Sequence, residues 1–199
     1  MVTLCALLFF LVSLSVIGVV WIGAAQGPET LLCTYGQRTT EDAVMAEDGL
    51  CDYAFYDSMY ANDKNTLVDQ GKFGQDLQTF MRAADRYNST ALGLAFAFEH
   101  IGEASAHLRK AGQYPLETFW RMKIFHVGVL DASDFSTGID MQVSIWLLKV
   151  IHDYASAKGH TVVTALAAPS PERHWAEFLA HLGRYVPQTT VFIAQSILS

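Results

Sequence analysis

From residue 31 onward, short runs of Val, Ile, Leu, Phe, Tyr and Ala alternate with stretches whose apolar residues recur every three or four positions. The first pattern predicts strands and the second amphipathic helices. Six strands are expected, near residues 31–35, 53–56, 92–98, 124–130, 161–167 and 190–194. Their apolar runs are nearly continuous, as in strands covered on both faces of a parallel sheet.

Helices fill the connections. Ile139, Val143, Trp146, Leu147, Val150, Ile151 and Tyr154 form one stripe that stops before Gly159, a natural C-terminal stop. Leu77, Phe80, Met81 and Ala84 form another, residues 115–121 begin a third, and 101–111 give a weaker fourth. Ser170-Pro171-Glu172 reads as N-cap, first-turn proline and dipole-matching acid, leading into Trp175, Phe178, Leu179 and Leu182. Only the connection between Cys33 and Cys51 lacks a helix pattern.

Strand-helix units of this size build either an open doubly wound sheet or a (β/α)-barrel, and the rhythm alone does not separate them. Length favours a shortened barrel. A full eight-stranded barrel takes about 250 residues, so residues 26–199 fall short by roughly two units. The expected fold class is therefore α/β, a parallel (β/α) repeat forming an incomplete TIM-barrel-like domain of about six strands, truncated at its C-terminal end.

Composition adds a compartment. The 199 residues are 51% apolar, but residues 1–26 carry no charged side chain. Residues 2–22 are almost uninterrupted Leu, Val, Ile, Phe and Ala, followed by Gly23-Ala24-Ala25-Gln26, so 1–25 reads as a signal peptide cut after Ala25. The rival reading is an uncleaved anchor of similar length. With cleavage Cys5 departs, and Cys33 and Cys51 remain as a pair suited to one disulfide in an oxidising compartment. Asn88-Ser89-Thr90 is a glycosylation acceptor. Secretion is expected, with no stable membrane association after cleavage. A net charge of −7 without any basic stripe argues against a nucleic-acid partner.

Leu32-Cys33-Thr34-Tyr35, followed by Gly49-Leu50-Cys51-Asp52-Tyr53-Ala54-Phe55-Tyr56, resembles the opening of the chitinase-type glycoside hydrolases of family 18. Asp48 to Tyr53 and Phe55-Tyr56-Asp57-Ser58 are also similar to a lineage of secreted, tick-type arthropod proteins of unassigned activity. The resemblance implies a Cys33–Cys51 bridge between the first two strands. It also places the strand-four motif on Phe125-His126-Val127-Gly128-Val129-Leu130-Asp131-Ala132-Ser133. Asp131 keeps the last aspartate of that motif, His126 and Val129 replace the earlier two, and Ser133 stands where the proton-donating glutamate belongs. Loss of such an acid costs catalysis on the order of 10²- to 10⁴-fold, so hydrolase activity is not expected by this route.

Polar residues also gather at the predicted strand ends: Asp57, Glu99 with His100, Asp131 with Asp134, Glu172 with His174, and Gln195. In parallel α/β folds these ends form the site. Glu99 and Asp131 read as a carboxylate pair, the catalytic residues if the protein is an enzyme, with Tyr56, Asp57 and Trp175 as ligand contacts. The same places suit helix-capping acids and turn-forming aspartates. Trp120 and Trp146 read as packing residues, and His126 as a hydrogen-bonded core or lumen residue.

The seven histidines show no HExxH or Cys/His ligand spacing, so no metal and no cofactor is expected. There is no Gly-x-Ser-x-Gly elbow and no phosphate loop. The expected function is a secreted, non-catalytic chitinase-like protein that binds a carbohydrate or a host or tissue protein at the strand C-terminal face. The alternative is an active glycosidase using Glu99 and Asp131.

Overall fold

Six parallel strands pair strictly in chain order: β1 (Leu32–Gly36), β2 (Tyr53–Met59), β3 (Ala91–Phe96), β4 (Ile124–Val129), β5 (Thr164–Ala167) and β6 (Thr190–Ile193). This computed structural model describes residues 30–36, 45–131, 138–167, 180 and 190–193. The expected leader, Ser133, Asp134, Glu172, His174, Trp175 and Gln195 lie outside the described residues.

Chain-order pairing settles what rhythm left open. A doubly wound sheet reverses its direction of growth at a switch point, whereas here every strand is added on the side of the last one. Right-handed crossovers then place the connecting helices on one face of the sheet, which leaves the other face as a lumen. The fold is α/β and curled like part of a TIM barrel.

The helices are α1 (Gln75–Ala84), α2 (Ile101–Ala111), α3 (Glu117–Arg121) and α4 (Gly138–Ala157). The α1 stripe forms as predicted, with Leu77, Phe80, Met81 and Ala84 all buried. In α4 the buried residues are Met141, Ser144, Ile145, Leu147, Leu148, Ile151 and Ala155, which include Leu147 and Ile151 of the predicted stripe, while its Val143, Trp146, Val150 and Tyr154 pack half-buried against the same core. Trp146 sits at its rim, half-buried, with the Arg109 guanidinium 4.5 Å above its ring. The sequence of α4 is apolar over so much of its circumference that several stripes fit it, and packing against α2 and β4 selects among them. Gly159, with φ of 83°, ends the connection as expected, since a left-handed residue is needed there. Among the described residues, no helix is long and apolar enough to cross a membrane.

Two apolar layers result. The larger lies between sheet and helices and contains Tyr56, Phe80, Leu94, Phe96 and Phe119. The smaller lines the lumen: Phe55, Ala95, Leu130 and Ala165, with Leu32 and Tyr53 against them. Gly93 is small because the Phe55 ring lies on it; a Cβ there would meet Phe55 Cε1 at 2.5 Å and His126 Cβ at 2.9 Å.

Strand ends depart from the predicted ones for local reasons. β5 starts at Thr164 instead of 161 because the Val163 N–H donates to the His126 ring (2.8 Å) instead of to a strand. β3 stops at Phe96 because residues Phe98–His100 turn into a single helical turn, the His100 N–H donating to the Ala97 carbonyl.

Cys33 and Cys51 are bonded, with Cα atoms 6.1 Å apart. The segment entering β2 is held further by Asp48, whose carboxylate accepts the backbone N–H groups of Asn88, Ser89 and Thr90. Those bonds favour the anion and hold its carboxyl below the usual range. Asn88 itself is exposed in this turn, at the amino end of β3.

Candidate functional site

The carboxyl ends of β2, β3 and β4 carry Asp57, Glu99 and Asp131, near enough that the charges of Asp131 and Glu99 act on Asp57. Asp57 is the fifth residue of β2; Tyr53 and Phe55, four and two positions earlier, line the lumen, and strand alternation puts Asp57 on that same side. Glu99 lies in the helical turn after β3, and Asp131 follows β4. The peptide bond between Asp57 and Ser58 is cis, and β2 changes register against β3 between Tyr56 and Met59.

Asp57 is half-buried, whereas Glu99 and Asp131 are exposed. Burial raises the Asp57 carboxyl above its ordinary value, and the negative charges of Asp131 and then Glu99 raise it further; the Ser58 hydroxyl opposes this by donating to the carboxylate. Asp57 is therefore coupled electrostatically to both neighbours and holds its proton more tightly than an ordinary aspartate. The polar residues at the predicted strand ends pair Glu99 with Asp131 and set Asp57 beside them. In the structure Asp57 is the member that feels both others.

No known family profile matches the chain, and no curated protein is significantly similar to it. The site is accordingly read from its own geometry.

Tyr56, expected as a ligand contact beside Asp57, requires correction. Its ring points to the helix side, 1% exposed and packed against Phe80. Its hydroxyl donates to Asp76 Oδ2 (2.5 Å) and accepts from Asn65 Nδ2 (2.7 Å), partners that sequence reading missed. Burial and the Asp76 charge push the phenol well above its ordinary value, so it stays neutral. Tyr56 is a packing residue that ties β2 to α1. One position along a strand exchanges lumen for helix side, and β2 is apolar on both faces, so the side facing the site could not be read from the pattern.

His126 lies on the lumen side of β4, its ring edge-on to Tyr53 at 5.3 Å between centroids. Its Nδ1 accepts the Val163 N–H, which assigns the proton of the neutral ring to Nε2. Burial lowers its pKa from 6.5 to about 4. Between those values the unfolded chain binds a proton that the folded chain does not, so stability falls as pH drops through that window. The expected loss is about 2 kcal/mol, allowing for a partly exposed ring. His126→Asn keeps an acceptor for Val163 but cannot titrate there. Urea unfolding at pH 7, 5.5 and 4 is expected to show wild type losing stability faster than this variant, and parallel losses would overturn the assignment.

A pocket of about 200 Å³ opens at the other end of the strands, between Tyr87, Asn88, Thr90, Lys123, Phe125 and His126. It is smaller than typical ligand sites and contains none of the three carboxylates.

Proposed function

We propose that this protein is a secreted, chitinase-like barrel protein that binds carbohydrate at the strand C-terminal face without hydrolysing it. The observation that carries this reading is the placing of Asp57, Glu99 and Asp131 at three successive strand ends, near enough that the charges of the last two act on Asp57. Exposed carboxylates accept hydrogen bonds from sugar hydroxyls, and charged acceptors form the stronger bonds of this kind. The barrel-like sheet and the Cys33–Cys51 bridge agree with the family resemblance in the first two strands. Under the same resemblance, Ser133 occupies the place of the acid; Trp175, which the sequence pattern sets soon after the fifth strand, supplies an aromatic platform for a sugar face.

One observation favours a second reading, hydrolysis. Asp57 is the half-buried carboxyl with a raised proton affinity, the property required of a general acid, with Glu99 and Asp131 as charged neighbours. In that case Asp57, and not Glu99 or Asp131 alone, would donate the proton to the leaving oxygen.

Both readings are tested by titrating oligomers of N-acetylglucosamine and of glucose into the full chain, followed by NMR, beside an aryl-glycoside hydrolysis assay. Binding is expected to weaken about ten- to a hundredfold in Glu99→Gln and Asp131→Asn, the range of a lost charge-assisted hydrogen bond. Tyr56→Phe is expected to leave binding unchanged. Absence of binding across the panel, or binding indifferent to all three carboxylates, would sink the proposal. Turnover that disappears in Asp57→Asn would establish the hydrolytic reading in its place.

A further inference from the structure

We propose that Asp63, His100 and Glu103 bind one divalent transition-metal ion, with Zn²⁺ the best match, between the ends of β2 and β3. The proposal stands apart from the carbohydrate reading, because none of these residues belongs to the Asp57 cluster. One donor atom from each of the three lies within 4.8 Å of the other two. His100 Nδ1 is 3.9 Å from Asp63 Oδ1 and 3.8 Å from Glu103 Oε2. These separations are too long for hydrogen bonds, so the groups face one another without satisfying one another. Ligands of a tetrahedral zinc at about 2.0–2.2 Å lie roughly 3.3–3.6 Å apart, so the two pairs that include His100 need to close by only a few tenths of an ångström, and the Asp63 and Glu103 oxygens start within 4.8 Å of each other. Asp63 and Glu103 are exposed side chains and are free to make that adjustment.

The arrangement follows from the helix. His100 precedes the first residue of α2, and Glu103 and His107 follow three and seven positions later, on one face over two turns. His107 Nδ1 is hydrogen-bonded to the Tyr60 hydroxyl at 2.9 Å, which turns Nε2 toward Glu103 Oε1, 3.9 Å away. Tyr60 is fully buried, so it fixes the His107 ring on the Glu103 side of the cluster. The amino end of α2 is itself unfavourable for a cation, but two carboxylates outweigh that partial charge. An imidazole with two carboxylates suits zinc-type ions, whereas Ca²⁺ and Mg²⁺ prefer oxygen alone.

The test uses the full, untagged chain, stripped with chelator and titrated calorimetrically with Zn²⁺ alone and with Ca²⁺ alone. One Zn²⁺ per chain is expected, bound in the micromolar range, with a raised Tm and no comparable response to Ca²⁺. His100→Gln and Glu103→Gln are each expected to weaken binding at least about tenfold, since even outer partners cost that much. His160→Gln, whose ring stacks on Phe125, is expected to keep it. Circular dichroism confirms that each variant is folded, and Co²⁺ absorption reports nitrogen and oxygen ligation independently. Failure of the wild type to bind Zn²⁺, undiminished binding in both ligand variants, or loss in His160→Gln would each overturn the site.

Discussion

Phe55→Ala is expected to lower the unfolding free energy by about 3–5 kcal/mol, the range for removing a buried phenylalanine from a close-packed core. Phe55 is fully buried in the lumen layer, where few large side chains share the space: its buried neighbours there are Ala95, Leu130 and Ala165. Small partners cannot collapse far into the gap, so the cavity cost stays high. Gly93 supplies the complementary test. A methyl group at Gly93 would press into the Phe55 ring and against His126 Cβ, and neither can retreat far. Gly93→Ala alone is expected to cost about 1–3 kcal/mol as overpacking. In the Phe55→Ala background the same methyl enters vacated space on the ring side, and its cost is expected to shrink to that of the remaining contact with His126 Cβ. Urea unfolding of the four proteins forms a double-mutant cycle, and simple additivity would show that ring and glycine do not share that space.

Removing the disulfide ranks next. Cys33 and Cys51 are 18 residues apart in sequence, and closing a loop of that size stabilises by about 3 kcal/mol, chiefly by restricting the unfolded chain. The double variant Cys33→Ser/Cys51→Ser is expected to unfold at correspondingly lower urea concentration. Wild type in reductant is expected to match it, and the variant should not respond to reductant. β1 stands at one end of the sheet order and, among the described residues, pairs with β2 alone, so the bridge secures a strand supported on one side. Equal stability of oxidised and reduced wild type would contradict this account of β1.

Much of this architecture was legible because buried parallel strands and amphipathic helices write different periods into the sequence. β2 and β4 begin at the expected residues Tyr53 and Ile124, and α1 buries the predicted face. What failed to show was whatever depends on partners distant in sequence. Val163 leaves the strand because a histidine 37 residues earlier takes its N–H. Strand order follows from the crossovers, to which the local pattern is blind. Parity in β2 was hidden by apolar residues on both faces, so Tyr56 was assigned to the site although Asp76 and Asn65 hold it on the helix side. The strand-end carboxylates were visible as residues, but their coupling through Asp57 was not. The cluster around His100 has a readable signal in the spacing of His100, Glu103 and His107 along one helix face, but Asp63 comes to it from the turn after β2, distant in sequence.

The measurement that tests the strand-end site most directly is a pH titration of the Asp57 side-chain carboxyl by ¹³C NMR in the full chain. Its midpoint is expected above that of an ordinary aspartate, moving back toward it in Asp131→Asn and by a smaller step in Glu99→Gln, the order in which those charges act on it. A midpoint at the ordinary value in wild type, or one indifferent to both substitutions, would contradict a single site built from the three carboxylates.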